Sequence, residues 1–123
     1  MDSLQIQSLP GGRDGIRILK LQGPFTLQSS LDFQSIAREP NAPPVTIIDL
    51  TDVPYMDSAA LGCILGVHVS CQREGRRYAI AGASDRLKTL FKVAGVDSLL
   101  ISYPSVSEAE AQLAEASSKS AAL

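Results

Sequence analysis

The pattern of apolar and polar residues is most informative over residues 45–74. Residues 45–48 are β-branched without polar alternation, which predicts a strand buried on both faces, as in a parallel sheet. After Asp57 and Ser58, apolar residues recur every three or four positions, which predicts a helix. Either of these two residues can cap that helix, because both side chains accept a hydrogen bond from a free N–H of the first turn.

The rest of the pattern supplies the other elements of an α/β domain. Strands are predicted at residues 4–9, 16–22, 77–81 and 99–103, and the turn-rich residues 10–15 join the first two into an N-terminal β-hairpin. Helices are predicted after caps at Thr26 and Ser84, and from Ser107 through Leu113. The expected inward-facing residues of the first of these are Leu27, Leu31, Phe33, Ile36 and Ala37, and of the second Leu87, Leu90, Phe91 and Ala94.

This order of elements predicts a mixed sheet of about five strands covered by about four helices. We expect one domain over residues 1–116 and a frayed C-terminal tail over residues 117–123. In such sheets a site forms outside the carboxyl ends of the strands, which here is the crevice at residues 49–58.

Composition narrows the class of partner. The 123 residues carry a formal net charge of -2, so no basic field predicts nucleic acid as a partner. No stretch reaches the roughly 18 apolar residues of a membrane span, and the first residues do not resemble a signal peptide. We expect a cytoplasmic protein with no membrane partner, in which Cys63 and Cys71 are buried thiols.

Residues that could support catalysis are poorly placed for it. The single histidine, His68, lies ten residues after Ser58 on the same predicted helix, about 15 Å away, so it cannot act as the base for that hydroxyl. We expect His68 to be packed or to face a partner. It has no cysteine at zinc-ligand spacing, so no metal and no other cofactor are predicted, and the protein is not expected to be an enzyme.

Three carboxylates lie within nine residues of the central stretch. Asp49, Asp52 and Asp57 could suggest an acid site or a Mg²⁺ site. Roles at a strand end, in a turn and as a helix cap explain them equally well.

Two glycines on the predicted central helix suggest a docking surface. Gly62 and Gly66 share a face with Ser58, and each costs roughly 1 kcal/mol of helix stability relative to alanine. Close packing within the domain or a partner could offset that cost. Because the helix is apolar nearly all round, we expect one face to remain for a partner, formed by Ala59, Leu61, Gly62, Leu65, Gly66 and Val69.

The same residues resemble a known family. Residues 49–53 read Asp-Leu-Thr-Asp-Val and residues 55–62 read Tyr-Met-Asp-Ser-Ala-Ala-Leu-Gly, which is similar to the D-L-S-x-V-x-F-M-D-S-S-G-L-G signature of STAS domains, the bacterial anti-anti-sigma factors. The resemblance continues through Gly82-Ala83-Ser84 to Gly95 and Val96. It covers nearly the whole chain in the order of its elements.

The resemblance implies a regulatory function. An anti-sigma factor that is also a serine kinase would phosphorylate Ser58, with Asp57, Asp49 and Thr26 adjacent to the phosphosite. The unphosphorylated protein would bind the anti-sigma factor and free the sigma factor, the phosphorylated form would release it, and a serine phosphatase would reset the switch.

Two departures from the family pattern keep an alternative open. The family often has Gly-Glu-Leu-Asp where this chain has Gly23-Pro24-Phe25-Thr26, so both acidic residues are absent, and Ala59-Ala60 replaces serine-glycine. The alternative is a scaffold or regulatory STAS module that binds protein partners or a small ligand without phosphorylation. A third hypothesis is an enzyme or nucleotide-binding domain that uses the crevice at residues 49–58, although no glycine-rich phosphate loop is present.

Overall fold

The computed structural model describes residues 3–121, and within them the side chains of residues 3–113. In chain order the elements are β1 Gln5–Pro10, β2 Ile16–Gln22, α1 Leu27–Ala37, β3 Val45–Asp52, α2 Ser58–Glu74, β4 Arg77–Ala81, α3 Asp85–Val93, β5 Ser102–Tyr103 and α4 Val106–Ala121. No helix within residues 3–121 is long and apolar enough to cross a lipid bilayer.

The strands form one mixed sheet in the order β1-β2-β3-β4-β5. β1 is antiparallel to β2, and the other neighbouring pairs are parallel. In the central register Ile47 lies opposite Ile18 on one side and Ala79 on the other. The predicted mixed α/β sheet and its N-terminal hairpin are therefore confirmed.

Both faces of the sheet are covered, and alternation along the strands assigns each residue to a face. Ile48 and Leu50 of β3 pack in a cluster with residues of α1, α2 and α3. Val45 and Ile47 belong to a second cluster beneath α4, which contributes Ala109 and Leu113. α2 packs on the same face of the sheet as α1 and α3. The candidate site therefore lies on this face, at the carboxyl ends of the strands.

A buried arginine fixes the far end of α1 to the sheet. Arg17 of β2 donates hydrogen bonds to the carbonyl of Ile36 at 2.9 Å and to the Thr46 hydroxyl at 3.1 Å. The bond to Ile36, with a second to the Ala37 carbonyl at 3.3 Å, satisfies part of the carbonyl end of α1. Burial is the main cause that lowers the pKa of Arg17, opposed by the Glu39 carboxylate at 3.7 Å. The start of α1 is also held, because the Leu27 N–H donates a hydrogen bond to the Asp57 carboxylate.

Several predicted boundaries were wrong. β3 continues past Ile48 to Asp52, because Asp49 and Asp52 still pair with β2. β5 is only Ser102–Tyr103, since Leu99 and Leu100 donate their N–H groups to the Val96 carbonyl in a turn. α4 runs to Ala121, past the domain end predicted at residue 116, and the frayed tail stays a prediction. Residues 1, 2, 122 and 123 lie outside the described range.

The predicted inner face of α1 also needs correction. Leu27 is 68% exposed and Leu31 is 76% exposed, although both were expected to face inward. The helix instead buries Ser30 and Phe33, whereas Leu27 and Leu31 face the solvent. On α3, Ala94 is exposed because it is the C-cap, whereas Leu87 and Phe91 are buried as expected, with Leu90 half-buried.

We predict that Gly82→Ala destabilises the fold more than Gly95→Ala does. Both glycines have positive φ, at 72° and 76°, where alanine costs about 1–2 kcal/mol. A Cβ at Gly82 would also collide with the Thr51 side chain, whereas nothing lies within 4 Å at Gly95. Urea unfolding should therefore show a loss of roughly 3 kcal/mol or more for Gly82→Ala. Equal losses for the two variants would contradict this account of Gly82.

Candidate functional site

The loops before α1 and α2 are joined directly by backbone hydrogen bonds. The Phe25 N–H donates to the Tyr55 carbonyl at 3.1 Å, and the Asp57 N–H donates to the Phe25 carbonyl at 3.2 Å. Phe25 and Met56 form an isolated parallel bridge, and both side chains are buried. Because β2 and β3 are parallel neighbours, their loops leave the same edge of the sheet. The starts of the two helices therefore lie side by side.

One carboxylate accepts hydrogen bonds from both helix starts. The Ala60 N–H of α2 donates to Asp57 Oδ1 at 2.9 Å, and the Leu27 N–H of α1 donates to Asp57 Oδ2 at 3.0 Å. Asp57 is therefore the N-cap of α2, which decides between the two predicted caps. The Ala60 N–H, and after it the N–H groups of Leu27 and Ala59, hold the pKa of the Asp57 carboxyl below its usual value.

Thr26 occupies the N-cap position of α1, but its side chain makes no capping hydrogen bond. Its carbonyl accepts the Ser29 N–H at 3.0 Å, while the Leu27 N–H goes to Asp57 instead. The predicted N-cap position of Thr26 is therefore confirmed, but its side chain does not satisfy the helix start. The cap comes from the neighbouring loop, which a local sequence pattern does not reveal.

Ser58 is the first residue of α2 and is exposed. Among the residues that the structure describes, none forms a hydrogen bond with its hydroxyl. The first turn of a helix presents free N–H groups and the positive end of the helix dipole. The hydroxyl is thus accessible, and a negative group added to it would lie at a helix start with a second helix start alongside.

Asp49 is held by hydrogen bonds to Thr51 near the end of β3. Its carboxylate accepts hydrogen bonds from the Thr51 N–H at 3.0 Å and the Thr51 hydroxyl at 2.6 Å. Alternation along β3 places Asp49 with Ile47, on the face covered by α4, whereas Ser58 begins a helix over the opposite face. The carboxylate of Asp49 is thus bonded within its own strand, and its place beside the phosphosite stays a prediction. Within residues 3–113, no three His, Cys, Asp or Glu side chains group as metal ligands.

The expected partner face of α2 is largely accessible. Gly62 is exposed, and Val69 is 50% exposed. Ala59, Leu65 and Gly66 are half-buried.

Leu61 was predicted as part of this face but is only 6% exposed. It lies three residues before Ile64 and seven before His68, and all three are buried on the side of α2 that faces the sheet. Leu61 is therefore a core residue. We define the α2 stripe as Ser58, Ala59, Gly62, Leu65, Gly66 and Val69.

Internal packing does not explain the glycines of the stripe. A Cβ at Gly62 would meet nothing within 4 Å, and one at Gly66 would meet only Arg38 Nη2, at an ordinary contact distance of 3.6 Å. Of the two explanations considered from the sequence, close packing within the domain is therefore excluded for Gly62 among the described residues. Close approach by a partner, the other explanation, stays a prediction.

His68 is packed rather than exposed. Its Nδ1 lies 2.8 Å from the Tyr78 hydroxyl, and the two rings meet edge to face. Burial raises the pKa of Tyr78 to about 12, so its hydroxyl keeps its proton at neutral pH. The pair is a buried polar contact between α2 and β4.

The sequence pattern missed two other features near Ser58. Leu27 and Leu31, one turn apart on α1, are exposed apolar residues, and the Leu27 N–H is bonded to the cap of α2. The guanidinium of Arg86 lies 5.7 Å from the ring centre of Tyr55, a cation–π contact across the crevice. The residue types of Leu27 and Leu31 suggested core positions, so nothing in the local pattern indicated their exposure.

Comparison with known proteins identifies the family. Residues 11–109 match the family model described as the STAS domain. This chain belongs to the STAS domain family. The match covers most of the chain and includes the two helix starts and the α2 stripe.

Individual relatives match a shorter segment of the chain than the family model does. The anti-sigma-B factor antagonist of Listeria monocytogenes is 40% identical over 53 residues, which are 43% of this chain and 46% of that protein. This chain therefore spans about half the length of the relative it matches.

Solved structures support the fold. An anti-sigma factor antagonist from Mycobacterium paratuberculosis superposes with a TM-score of 0.78 at 17% identity, covering 90% of this chain and 94% of that one. The Bacillus protein SpoIIAA in its phosphorylated form gives a TM-score of 0.67 at 15% identity, covering 90% and 99%. At these identities the similarity establishes the fold alone.

We predict that Asp57→Asn removes a pH-dependent part of the folding stability. Because the folded pKa is depressed, the ionised carboxyl stabilises the fold above the unfolded value of about 3.9, and this contribution is lost as pH falls through the folded value. Asparagine remains a good N-cap but does not titrate. The stability difference between the wild type and the variant, measured by urea unfolding, should therefore grow as the pH rises through the folded pKa to above the unfolded value.

Asp14→Asn is the matched control, because Asp14 is an exposed residue of the β1–β2 turn. A difference between wild type and Asp57→Asn that stays constant with pH would contradict the role assigned to the Asp57 carboxylate.

Proposed function

We propose that this chain is an anti-sigma factor antagonist controlled by phosphorylation of Ser58. The unphosphorylated form binds an anti-sigma factor through the α2 stripe and so frees the sigma factor. The anti-sigma factor is also a serine kinase that phosphorylates Ser58 and is then released, and a serine phosphatase restores the binding form. The switch operates in the cytoplasm, and the chain is a substrate and regulator rather than an enzyme.

The observation that carries this proposal is the position of Ser58. Its hydroxyl is exposed at the first position of α2, directly after the carboxylate that caps both helices. The names of the sequence relatives, which are anti-sigma-B factor antagonists, support the same function over the 53 residues that match.

The fold can accept a phosphate at this position. A phosphate adds about -1.5 to -2 charge, which the free N–H groups of a helix start stabilise. The adjacent Asp57 carboxylate opposes it by repulsion, but its two oxygens already accept hydrogen bonds from α1 and α2. We expect the two effects to offset each other in the free protein.

A partner experiences the phosphate differently. The stripe beyond Ser58 consists of Ala59, Gly62, Leu65, Gly66 and Val69, which carry no charge. A partner that packs on this surface has to desolvate the phosphate together with the apolar side chains. Phosphorylation therefore weakens the complex while the fold persists.

The direct test incubates the purified protein with ATP and an anti-sigma factor kinase from the same organism. We expect one phosphate by intact-mass spectrometry, located on Ser58 by fragmentation, and no phosphate on Ser58→Ala. We also expect the phosphorylated product to lose binding to the kinase. A kinase that neither binds nor labels the protein would exclude the proposal.

One feature favours the alternative of a STAS module that is not phosphorylated. Pro24 and Thr26 stand where the family often has acidic residues, and Pro24 borders the crevice together with Asp52 and Arg86. The lip of the crevice is therefore less acidic than the family pattern implies. Mass spectrometry of the protein isolated from stressed and from unstressed native cells distinguishes the two functions. Only the phosphorylation switch predicts a phosphate on Ser58 under one of these two conditions.

We predict that Ser58→Asp weakens binding to the anti-sigma factor by at least about tenfold, or ~1.4 kcal/mol, because it places a charge at the head of the stripe. Ser58→Ala should bind like the unmodified protein, since it keeps the stripe uncharged. Isothermal titration calorimetry measures both affinities. Equal affinities for the two variants, with both folded by circular dichroism, would rule out electrostatic control at this position.

We predict opposite effects of Gly62→Ala on stability and on binding. Alanine should stabilise the free protein by up to about 1 kcal/mol, because the position is helical and a Cβ meets nothing within 4 Å. Binding to the anti-sigma factor should weaken by roughly 1–3 kcal/mol if its surface packs against the glycine.

Thr89→Ala is the matched control, because Thr89 is an exposed helical residue on α3, away from the stripe. It should raise the free energy of unfolding by a few tenths of a kcal/mol and leave binding unchanged. If Gly62→Ala binds the anti-sigma factor as tightly as the wild type does, Gly62 is not part of the interface.

A further inference from the structure

A groove lies between α3 and β5, formed by residues other than those of the α2 stripe. It has a volume of about 440 Å³, which is in the range of ligand-binding clefts. Phe91 and Leu100, both buried, form its apolar floor. The remaining residues that line it are Lys88, Lys92, Asp97, Ser102, Tyr103 and Pro104.

The charged side chains of this groove favour an anionic occupant. Lys88 and Lys92 are exposed and lie four residues apart on one side of α3. Among the side chains that the structure describes, neither ammonium group has an ion pair or a hydrogen bond. Among the described residues of the lining Asp97 is the one acidic residue, so these residues carry a formal charge of about +1.

The groove also includes an unpaired edge of the sheet, because β5 is the last strand. The Ile80 N–H donates to the Ile101 carbonyl at 2.8 Å, and the Gly82 N–H donates to the Tyr103 carbonyl at 3.0 Å. In a parallel ladder, the residue between these two carbonyls directs its own N–H and C=O to the other side. Ser102 therefore presents one backbone donor and one acceptor to the groove, which is what an added extended chain requires.

The spacing of the lysines matches such a chain. Four residues of a helix span about 6 Å, and alternate residues of a strand, whose side chains share a face, lie about 6.6–6.8 Å apart. We propose that this groove binds an extended acidic segment of a partner protein, with carboxylates on alternate residues facing Lys88 and Lys92 and its backbone paired with Ser102. This surface acts independently of Ser58.

The test uses a peptide with the alternating pattern, acetyl-Glu-Val-Glu-Val-Glu-Val-amide, titrated into the ¹⁵N-labelled full chain and followed by NMR. The neutral analogue acetyl-Gln-Val-Gln-Val-Gln-Val-amide tests the need for charge. We expect the amides of Ser102 and α3 to shift with the acidic peptide and much less with the neutral one. The affinity should fall as the salt concentration rises.

Charge variants locate the interaction. Lys88→Glu and Lys92→Glu should each weaken binding by roughly tenfold, since each replaces an attraction with a repulsion, and Asp97→Asn should strengthen it. Arg13→Glu makes the same change of charge in the exposed β1–β2 turn and should leave the affinity within twofold of the wild type. All four positions are exposed, and dispersed NMR spectra confirm that the variants are folded.

Three results would overturn the proposal. The first is no shift at Ser102 or α3 with the acidic peptide, and the second is an equal loss of affinity in Arg13→Glu and Lys88→Glu. The third is binding of octanoate at the groove without binding of the acidic peptide, which would show a site for small amphipathic anions instead. None of these results bears on phosphorylation of Ser58.

Discussion

The hydrogen bonds from two helices to the Asp57 carboxylate are the interaction on which the functional end of this domain depends. The bonds at 2.9 and 3.0 Å connect α2 and α1, and the backbone bonds of Phe25 align the loops that lead into them. Each helix start has free N–H groups that need an acceptor. By sharing one acceptor, the two starts are held in a fixed arrangement, and Ser58 is placed beside both. Control by a phosphate at Ser58 would therefore act on a rigid surface and would not require refolding.

Stability and binding are separated along α2. Leu61, Ile64 and His68 face the sheet and contribute to the core, whereas Gly62 and Val69 face outward. Gly62 costs helix stability and has no neighbour within 4 Å in the described structure, so the fold alone does not account for it. The proposed partner surface therefore lies on the face of α2 that contributes least to the core.

The sequence predicted most of the fold because the decisive patterns are local. The β-branched residues of β3, the left-handed Gly75 and the Ser84 cap act within a few residues of themselves, and the structure has each of them as expected. Predictions that depended on the tertiary arrangement were less successful. Leu27 is exposed and the Thr26 side chain makes no capping bond because α1 takes its orientation and its cap from contacts with the loop before α2.

NMR of the amide groups during a pH titration tests the shared cap most directly. Hydrogen bonds from the Leu27 and Ala60 N–H groups to one carboxylate predict that both amide proton shifts follow a single transition, with an apparent pKa below the usual 3.8 of an aspartate. In Asp57→Asn both transitions should vanish together. A transition at Ala60 with none at Leu27 would contradict the shared cap, and with it the fixed arrangement of the two helices around Ser58.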